Sequence, residues 1–268
     1  MPMSEEKLKN YVNSSGFPLQ IRIEHLVNST TSSHGWKVLY KEHSWRNADT
    51  QNSGFIDLVL VDEHGTSIMV IECKRVQNSS WIFLLPSERQ ASRKHVRAWV
   101  SRLDNQEAKF FDWTDVTADP RTPESQFCII PGQDHKSRPM LERVGAELIE
   151  ATEALAQEDY HLNSQSGFIR IYMNVIITTA QLYLCRLDPN AISIETGILD
   201  DAQFQTIPFL RFRKSLSTKS VDQLNLGEKE RSNLIKAKEN TVFIVNSGQF
   251  QEFLESIEID DSPFRHLR

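Results

Sequence analysis

Two short apolar segments joined by a turn constrain the fold of this chain more than any other feature. Phe55–Val61 and Ser67–Lys74 are separated only by Asp62–Thr66, which contains a glycine, and this spacing is typical of a β-hairpin. Both segments are apolar at consecutive positions rather than only at alternate ones. Strands of that kind lie in the middle of a sheet that is covered on both faces, so the hairpin predicts a central sheet packed between other layers.

The rest of the pattern surrounds this hairpin with helices and further strands. Apolar residues at helical spacing predict a short helix over Ser4–Val12, a second over Leu19–Val27 and a long one after Pro139. Arg89–Leu103 is interpreted as a basic helix and Asp112–Pro123 as a loop. Strands are predicted at Trp36–His43, Ile169–Thr179, Gln181–Leu187, Pro208–Lys214 and Thr241–Asn246, with a closing helix at Gln249–Ile257.

This order of elements predicts an α/β fold with a mixed central sheet flanked by helices. Residues 1–187 are expected to form the core, with a poorly regular insertion near 78–133. Residues 188–268 are expected to form an α/β extension packed on that core. The composition changes nowhere sharply enough to mark a linker.

Composition limits the classes of partner and compartment. The net charge is −6, from 36 acidic and 30 basic residues, so the chain does not resemble a protein that coats nucleic acid, and any contact with a polyanion must come from local basic patches. No apolar run approaches the roughly 20 residues that cross a bilayer, and the N-terminus lacks the apolar stretch of a signal peptide. A cytoplasmic protein without membrane contact is therefore expected. Cys73, Cys128 and Cys185 predict buried reduced thiols rather than disulfides or a zinc site.

Charged residues interrupt the two apolar strands at three positions. Asp57 lies on the first strand, and Glu72 and Lys74 lie on the second. Because side chains alternate along a strand, Glu72 and Lys74 are expected to share a face, while Cys73 points to the other. The hairpin is expected to bring Asp57 within reach of Glu72. In the competing interpretation these are hairpin-end charges, with Lys74 paired to one of the acids.

Two nearby buried carboxylates are costly unless a cation neutralises them, and a hard divalent ion such as Mg²⁺ takes oxygen ligands of this kind. The ligands would be Asp57, Glu72 and one main-chain carbonyl, for which Cys73 is the best candidate. Lys74 would orient or help to deprotonate an attacking water, or stabilise the charge that develops on a phosphate. These three charged residues therefore predict a catalytic metal site.

The hairpin resembles the signature of the PD-(D/E)xK nuclease superfamily. The first acid lies in Ile56-Asp57-Leu58-Val59-Leu60, and fourteen residues separate it from the second acid in Glu72-Cys73-Lys74. The resemblance covers about Pro18–Leu187, and it departs from the family pattern where Ile56 stands in place of the proline. It implies a restriction-endonuclease-like core and a metal-dependent endonuclease that uses Mg²⁺, for which Mn²⁺ can substitute. DNA is the favoured substrate over RNA, and restriction, repair or anti-phage defence are the settings that the resemblance implies.

The resemblance also indicates residues outside the hairpin. Many members carry a further catalytic glutamate on the first core helix, and Glu24 is the best match, although Gln20 lies one turn earlier on the same side. Gln77 is expected near substrate or water, with an ordinary strand-end glutamine as the alternative. The resemblance also implies contacts with DNA phosphates. One face of the basic helix, with Arg89, Arg93 and Arg97, is expected to make them. The alternative is that this face is only solvated.

Two questions about partners stay open at this stage. Arg211, Arg213 and Lys214 form a second basic segment, which would hold a DNA backbone or mark an exposed sheet edge. A nucleic-acid-binding or assembly module that keeps the fold without cleaving is the rival hypothesis, and the intact charge cluster argues against it. Because cleavage of two strands usually needs two active sites, a homodimer is expected, and an activating partner protein is the alternative.

Overall fold

A large mixed sheet lies between helices in this protein, as described by a computed structural model for residues 3–77, 79–87, 93–104, 107–133, 138–162, 168–217, 219 and 234–265. The helices are α1 (Glu5–Ser14), α2 (Phe17–His34), α3 (Met140–Leu162), α4 (Leu234–Lys238), α5 (Phe250–Ser256) and α6 (Ser262–Arg265). The strands are β1 (Lys37–Arg46), β2 (Ser53–Val61), β3 (Ser67–Lys74), β4 (Ser80–Pro86), β5 (Arg93–Asp104), β6 (Glu107–Thr122), β7 (Glu124–Ser125), β8 (Phe127–Ile129), β9 (Ile169–Thr178), β10 (Gln181–Leu187), β11 (Gln203–Thr206), β12 (Phe209–Ser215), β13 (Glu239–Asn246) and β14 (Glu258–Ile259).

The main sheet is organised around β9. Its order runs β1-β2-β3-β9-β13-β12-β7, with β1, β2 and β3 antiparallel to one another and β9 parallel to both β3 and β13. The first residues of β9 also pair with β5, which continues the sheet into β6 and β14. The predicted hairpin is confirmed, and it lies in the interior of the sheet, where its unbroken apolar pattern places it.

Each face of this sheet is covered by its own hydrophobic core. On one face, Ile68 and Val70 of β3 join the apolar stripe of α3. On the other, Met69 and Ile71 join residues of α2 and α5. The helical residues that close these two cores are Leu141, Val144, Leu148 and Leu155 on the first face, and Ile23, Val27, Phe250 and Phe253 on the second. Alternate side chains of β3 thus enter opposite cores, which explains its continuous apolar sequence.

The predicted basic helix at Arg89–Leu103 is wrong. Residues from Arg93 onward form β5, and most of the predicted loop at Asp112–Pro123 belongs to its antiparallel partner β6. The physical reason is a period of two, because Val96, Ala98 and Val100 alternate into the core beside α2. Arg89 lies outside the described residues.

The insertion near 78–133 is more regular than predicted, since it supplies β4 to β8. A smaller sheet has the order β11-β10-β4-β8, in which β4 runs parallel to β10. Its inner face adds Trp81, Phe83 and Leu184 to the core beneath α3. Residues after 188 contribute β12 and β13 to the main sheet itself. Within the described ranges, no helix is long and apolar enough to cross a membrane.

Candidate active site

The three predicted residues meet where β2 and β3 stop pairing. The paired register ends at Leu58 and Ile71, so the next residues, Asp57 and Glu72, lie at the start of a separation between the strands. There the Oδ2 atom of Asp57 accepts a hydrogen bond of 2.6 Å from the main-chain N–H of Cys73. A side-chain carboxylate thus takes the place of a main-chain partner, and this contact fixes its position beside the second strand.

The alternation predicted for β3 is confirmed. The Nζ atom of Lys74 lies 2.5 Å from Oε1 of Glu72, and both side chains are partly exposed. Cys73 is buried among the residues that pack beneath α2. Burial raises the pKa of its thiol, with the carboxylates of Asp57 and Glu72 adding to the effect, so the sulfur stays a neutral thiol.

Asp57 lies in surroundings that disfavour its negative charge. Burial raises the pKa of this carboxyl to about 6, and the negative charge of Glu72 is the next cause. The Cys73 N–H and the Lys74 ammonium act in the opposite direction, while Glu42 adds a further upward contribution. The ionised form of Asp57 is therefore disfavoured, mainly by burial and then by the charge of Glu72, and a bound cation would favour it.

The first core helix supplies Gln20 to this cluster. Its Nε2 donates to the main-chain carbonyl of Asp57 at 3.0 Å and to Oε1 of Glu42 at 2.5 Å, and the side chain is buried. Glu24, the residue favoured from the sequence, instead forms an ion pair of 3.0 Å with Lys41. Of the two candidates on α2, the structure brings Gln20 and not Glu24 into contact with Asp57.

Glu42 is a site residue that the sequence did not reveal. The pairs on either side of it, Lys41 with Leu58 and His43 with Ile56, set it opposite Asp57 across the β1–β2 ladder. Its backbone has a φ of 48°, which is uncommon for a residue with a side chain. Neither the register nor this conformation can be deduced from the local sequence, so no signal would have identified it.

Two of the predicted substrate-binding residues, Gln77 and Arg97, have described side chains. Gln77 is exposed, three residues beyond Lys74. Arg93 begins β5, and Arg97 is half-buried in the same strand, where burial lowers its pKa and Asp115 and Asp112 oppose that change. Arg97 therefore lies among acids of the neighbouring strand rather than on a helix face that is open to DNA.

The second basic segment is neither a DNA surface nor an exposed edge. Arg211 is fully buried and donates to the main-chain carbonyls of Ala118 and Pro120. Arg213 is buried between Asp115 and Glu239, each at 3.1 Å. Both interpretations of Arg211 and Arg213 are wrong, because β12 lies inside the main sheet and its charges pair within the fold.

A cleft opens beside the charge cluster, between the start of β2 and the first turns of α3. Its volume is about 460 Å³, and Glu72 forms part of its wall. Trp45, Phe55 and Ile56 line one side, and the residues contributed by α3 and its approach are Arg138, Arg143, Val144, Ala146, Glu147, Leu148, Glu150 and Ala151. The candidate catalytic residues thus border a concave space that can receive a ligand.

The oxygen atoms available here fit a hard divalent cation better than a soft one. Asp57 and Glu72 provide carboxylates, whereas the Cys73 thiol is buried in the core beneath α2. In the part of the chain that is described, no group of three or more acidic, histidine or cysteine side chains is arranged to hold a metal. Any ion would depend on these two carboxylates together with main-chain or water oxygens. Comparisons with protein-family models, with curated proteins and with solved structures found no match to this chain.

Proposed function

We propose that this protein is a metal-dependent nuclease that hydrolyses phosphodiester bonds in DNA, acting as an endonuclease. The observation that carries the proposal is the meeting of Asp57, Glu72 and Lys74 where β2 and β3 separate. The order of α2, β1, the β2–β3 hairpin, α3 and β9 agrees with the context that the superfamily resemblance implies. The restriction-endonuclease-like assignment is part of the proposal.

Mg²⁺, or Mn²⁺ in its place, would be held by Asp57, Glu72 and the main-chain carbonyl of Cys73. When bound, the ion would supply a Lewis acid and a water of lowered pKa. The raised pKa of Asp57 supports this assignment, because a carboxylate that is costly to ionise in the free protein is relieved by a cation.

The chain's own residues would divide the remaining work. Lys74 would hold the attacking water at its Nζ atom or stabilise the negative charge on the phosphate, and its contact with Glu72 keeps the ammonium beside the carboxylates. Gln20 would fix the main chain of Asp57, so that the carboxylate needs little reorganisation on binding. Glu42 would raise the local negative charge that favours a cation.

The test compares cleavage of plasmid and single-stranded DNA by the wild type with cleavage by Asp57→Ala and Lys74→Ala, with Mg²⁺ or Mn²⁺. Each variant is expected to lose at least about 100-fold in rate, the lower end of what a positioned acid–base group contributes. Lys94→Ala is the matched control, because that lysine carries an ion pair with Asp119 on another part of the sheet. Equal cleavage by all four proteins, or none with either metal, would contradict the proposal.

A further inference from the structure

The cleft beside Glu72 has the dimensions of a site for one small ligand group. Its volume of about 460 Å³ falls in the range of sites that enclose a single small molecule, roughly 300–1,000 Å³. A base that remains stacked and paired inside a duplex cannot enter a space of this kind, whereas an unpaired nucleotide can. Glu72 in its wall places the entrance next to the candidate catalytic residues.

Phe55 gives this cleft an exposed aromatic surface. It keeps 64% of its accessible area, although its neighbour Ile56 and the following Leu58 are buried. It lies two residues before Asp57 and lines the cleft. An exposed aromatic ring beside a phosphate-cutting centre is the kind of platform on which unpaired bases stack.

Two arginines, one just before α3 and one in its first turn, give the cleft positive charge. Arg138 and Arg143 are both exposed and line the cleft, and within the described residues neither is paired with an acid. Guanidinium groups bind phosphate oxygens in a fixed geometry. They are therefore placed to hold the backbone of a strand whose base contacts Phe55.

The cleft is also lined by two carboxylates of α3. Glu150 is buried and accepts hydrogen bonds from Asn52 at 2.8 Å and from Thr50 at 3.2 Å, and Glu147 lies one turn before it. Both carboxylates would repel a phosphate, and the exposed carboxylate of Glu147 would accept from the amino group of a base. The charges of the lining thus favour a phosphate beside Arg138 and Arg143 and a base edge beside Glu147.

From these contacts we infer that the cleft is a subsite for one unpaired nucleotide of the strand being cut. Phe55 stacks on the base, and Arg138 and Arg143 hold the phosphate. This inference rests on the proposed nuclease function and adds a substrate class to it. The protein acts on single strands, flaps or frayed ends in preference to blunt duplex.

The experiment measures binding separately from cleavage. Fluorescence anisotropy in EDTA compares a labelled single-stranded oligonucleotide with the blunt duplex of the same sequence. The wild type is expected to bind the single strand more tightly, and Phe55→Ala is expected to weaken that binding about five-fold or more, as loss of one stacking contact does. Phe55→Tyr should retain it, and Arg143→Gln should weaken it and reduce its salt dependence.

Two matched controls guard against general effects of substitution. Phe204, which is 61% exposed on β11 in the smaller sheet, is replaced by alanine, and the exposed Arg22 on α2 is replaced by glutamine. Neither should change the affinity for the single strand, and thermal unfolding verifies that each variant is folded. Equal affinity of the wild type for duplex and single strand, or no effect of Phe55→Ala, would overturn the subsite. If the subsite is overturned in this way but metal-dependent cleavage is observed, the nuclease proposal still holds. If Phe55→Ala has no effect on binding and the wild type does not cleave DNA, both proposals are wrong.

Discussion

At the scale of single residues, Asp57 opposes the stability of the fold that contains it. Its pKa in the folded protein, about 6, lies above the ordinary value of 3.8, mainly because of burial and then because of Glu72. Between these two values the folded state binds more protons than the unfolded state. The free energy of unfolding therefore falls as the pH rises through this interval, and above about pH 6 the penalty is complete.

Asp57→Asn is expected to remove this penalty and the activity together. At about pH 8 in EDTA, the variant should have a larger free energy of unfolding than the wild type by up to ~3 kcal/mol, because one pKa unit corresponds to about 1.4 kcal/mol. Below about pH 4 the difference should vanish. Urea unfolding as a function of pH measures it, and Asp201→Asn, an exposed acid, is the control. A destabilised variant at pH 8 would show that the charge is not costly there.

Two substitutions test which residue of α2, Gln20 or Glu24, assists the candidate site. Gln20→Ala removes the hydrogen bond to the main chain of Asp57, so cleavage is expected to fall about 10-fold or more, as for other residues that orient metal ligands. Glu24→Ala breaks only a partly exposed ion pair with Lys41, and the rate should change less than about three-fold. Initial rates at saturating substrate measure both, and the reverse order would restore Glu24 as the functional residue.

The sequence predicts those residues of the candidate site whose positions depend on one hairpin. Asp57, Glu72 and Lys74 were identified because the pleat and a short turn fix their relations. The choice between Gln20 and Glu24 stayed open, since it depends on how α2 is rotated against the sheet. Glu42 was missed because it depends on the pairing of β1 with β2.

At the scale of elements, the β5–β6 pair shows why a local pattern can mislead. Arg93 and Arg97 repeat at a helical interval and predict a helix, whereas Val96, Ala98 and Val100 alternate into the core of a strand. Asp115 in β6 suggested a loop, yet it lies 3.1 Å from Arg213 of a strand far away in sequence. Charges that pair inside the fold look like surface charges until their partners are known.

At the scale of the whole molecule, the last third of the chain bears on whether residues 1–187 can fold alone. Removal of the residues after 187 would strip β13 from the Asn174–Thr178 edge of β9 and remove α5 from the core beneath it. The fragment 1–187 is therefore expected to lose cooperative unfolding and to aggregate through the exposed edge. Circular dichroism during heating and sedimentation measure this, with the full chain as control. A soluble fragment with a sharp transition would instead establish an independent core.

The position of β9 also has a consequence for the order of events as the chain is made. Val175 pairs with Ile71 on one side and with Phe243 on the other, so its two partners lie far apart in the sequence, one before it and one after it. Closing such long loops carries an entropic cost before any contact rewards it, and it slows folding. The hairpin that bears Asp57 and Glu72 can form early, but the Asn174–Thr178 part of β9 gains its second neighbour only when Glu239–Asn246 has been synthesised. Pairing of β9 with β13 is therefore expected to follow formation of the hairpin.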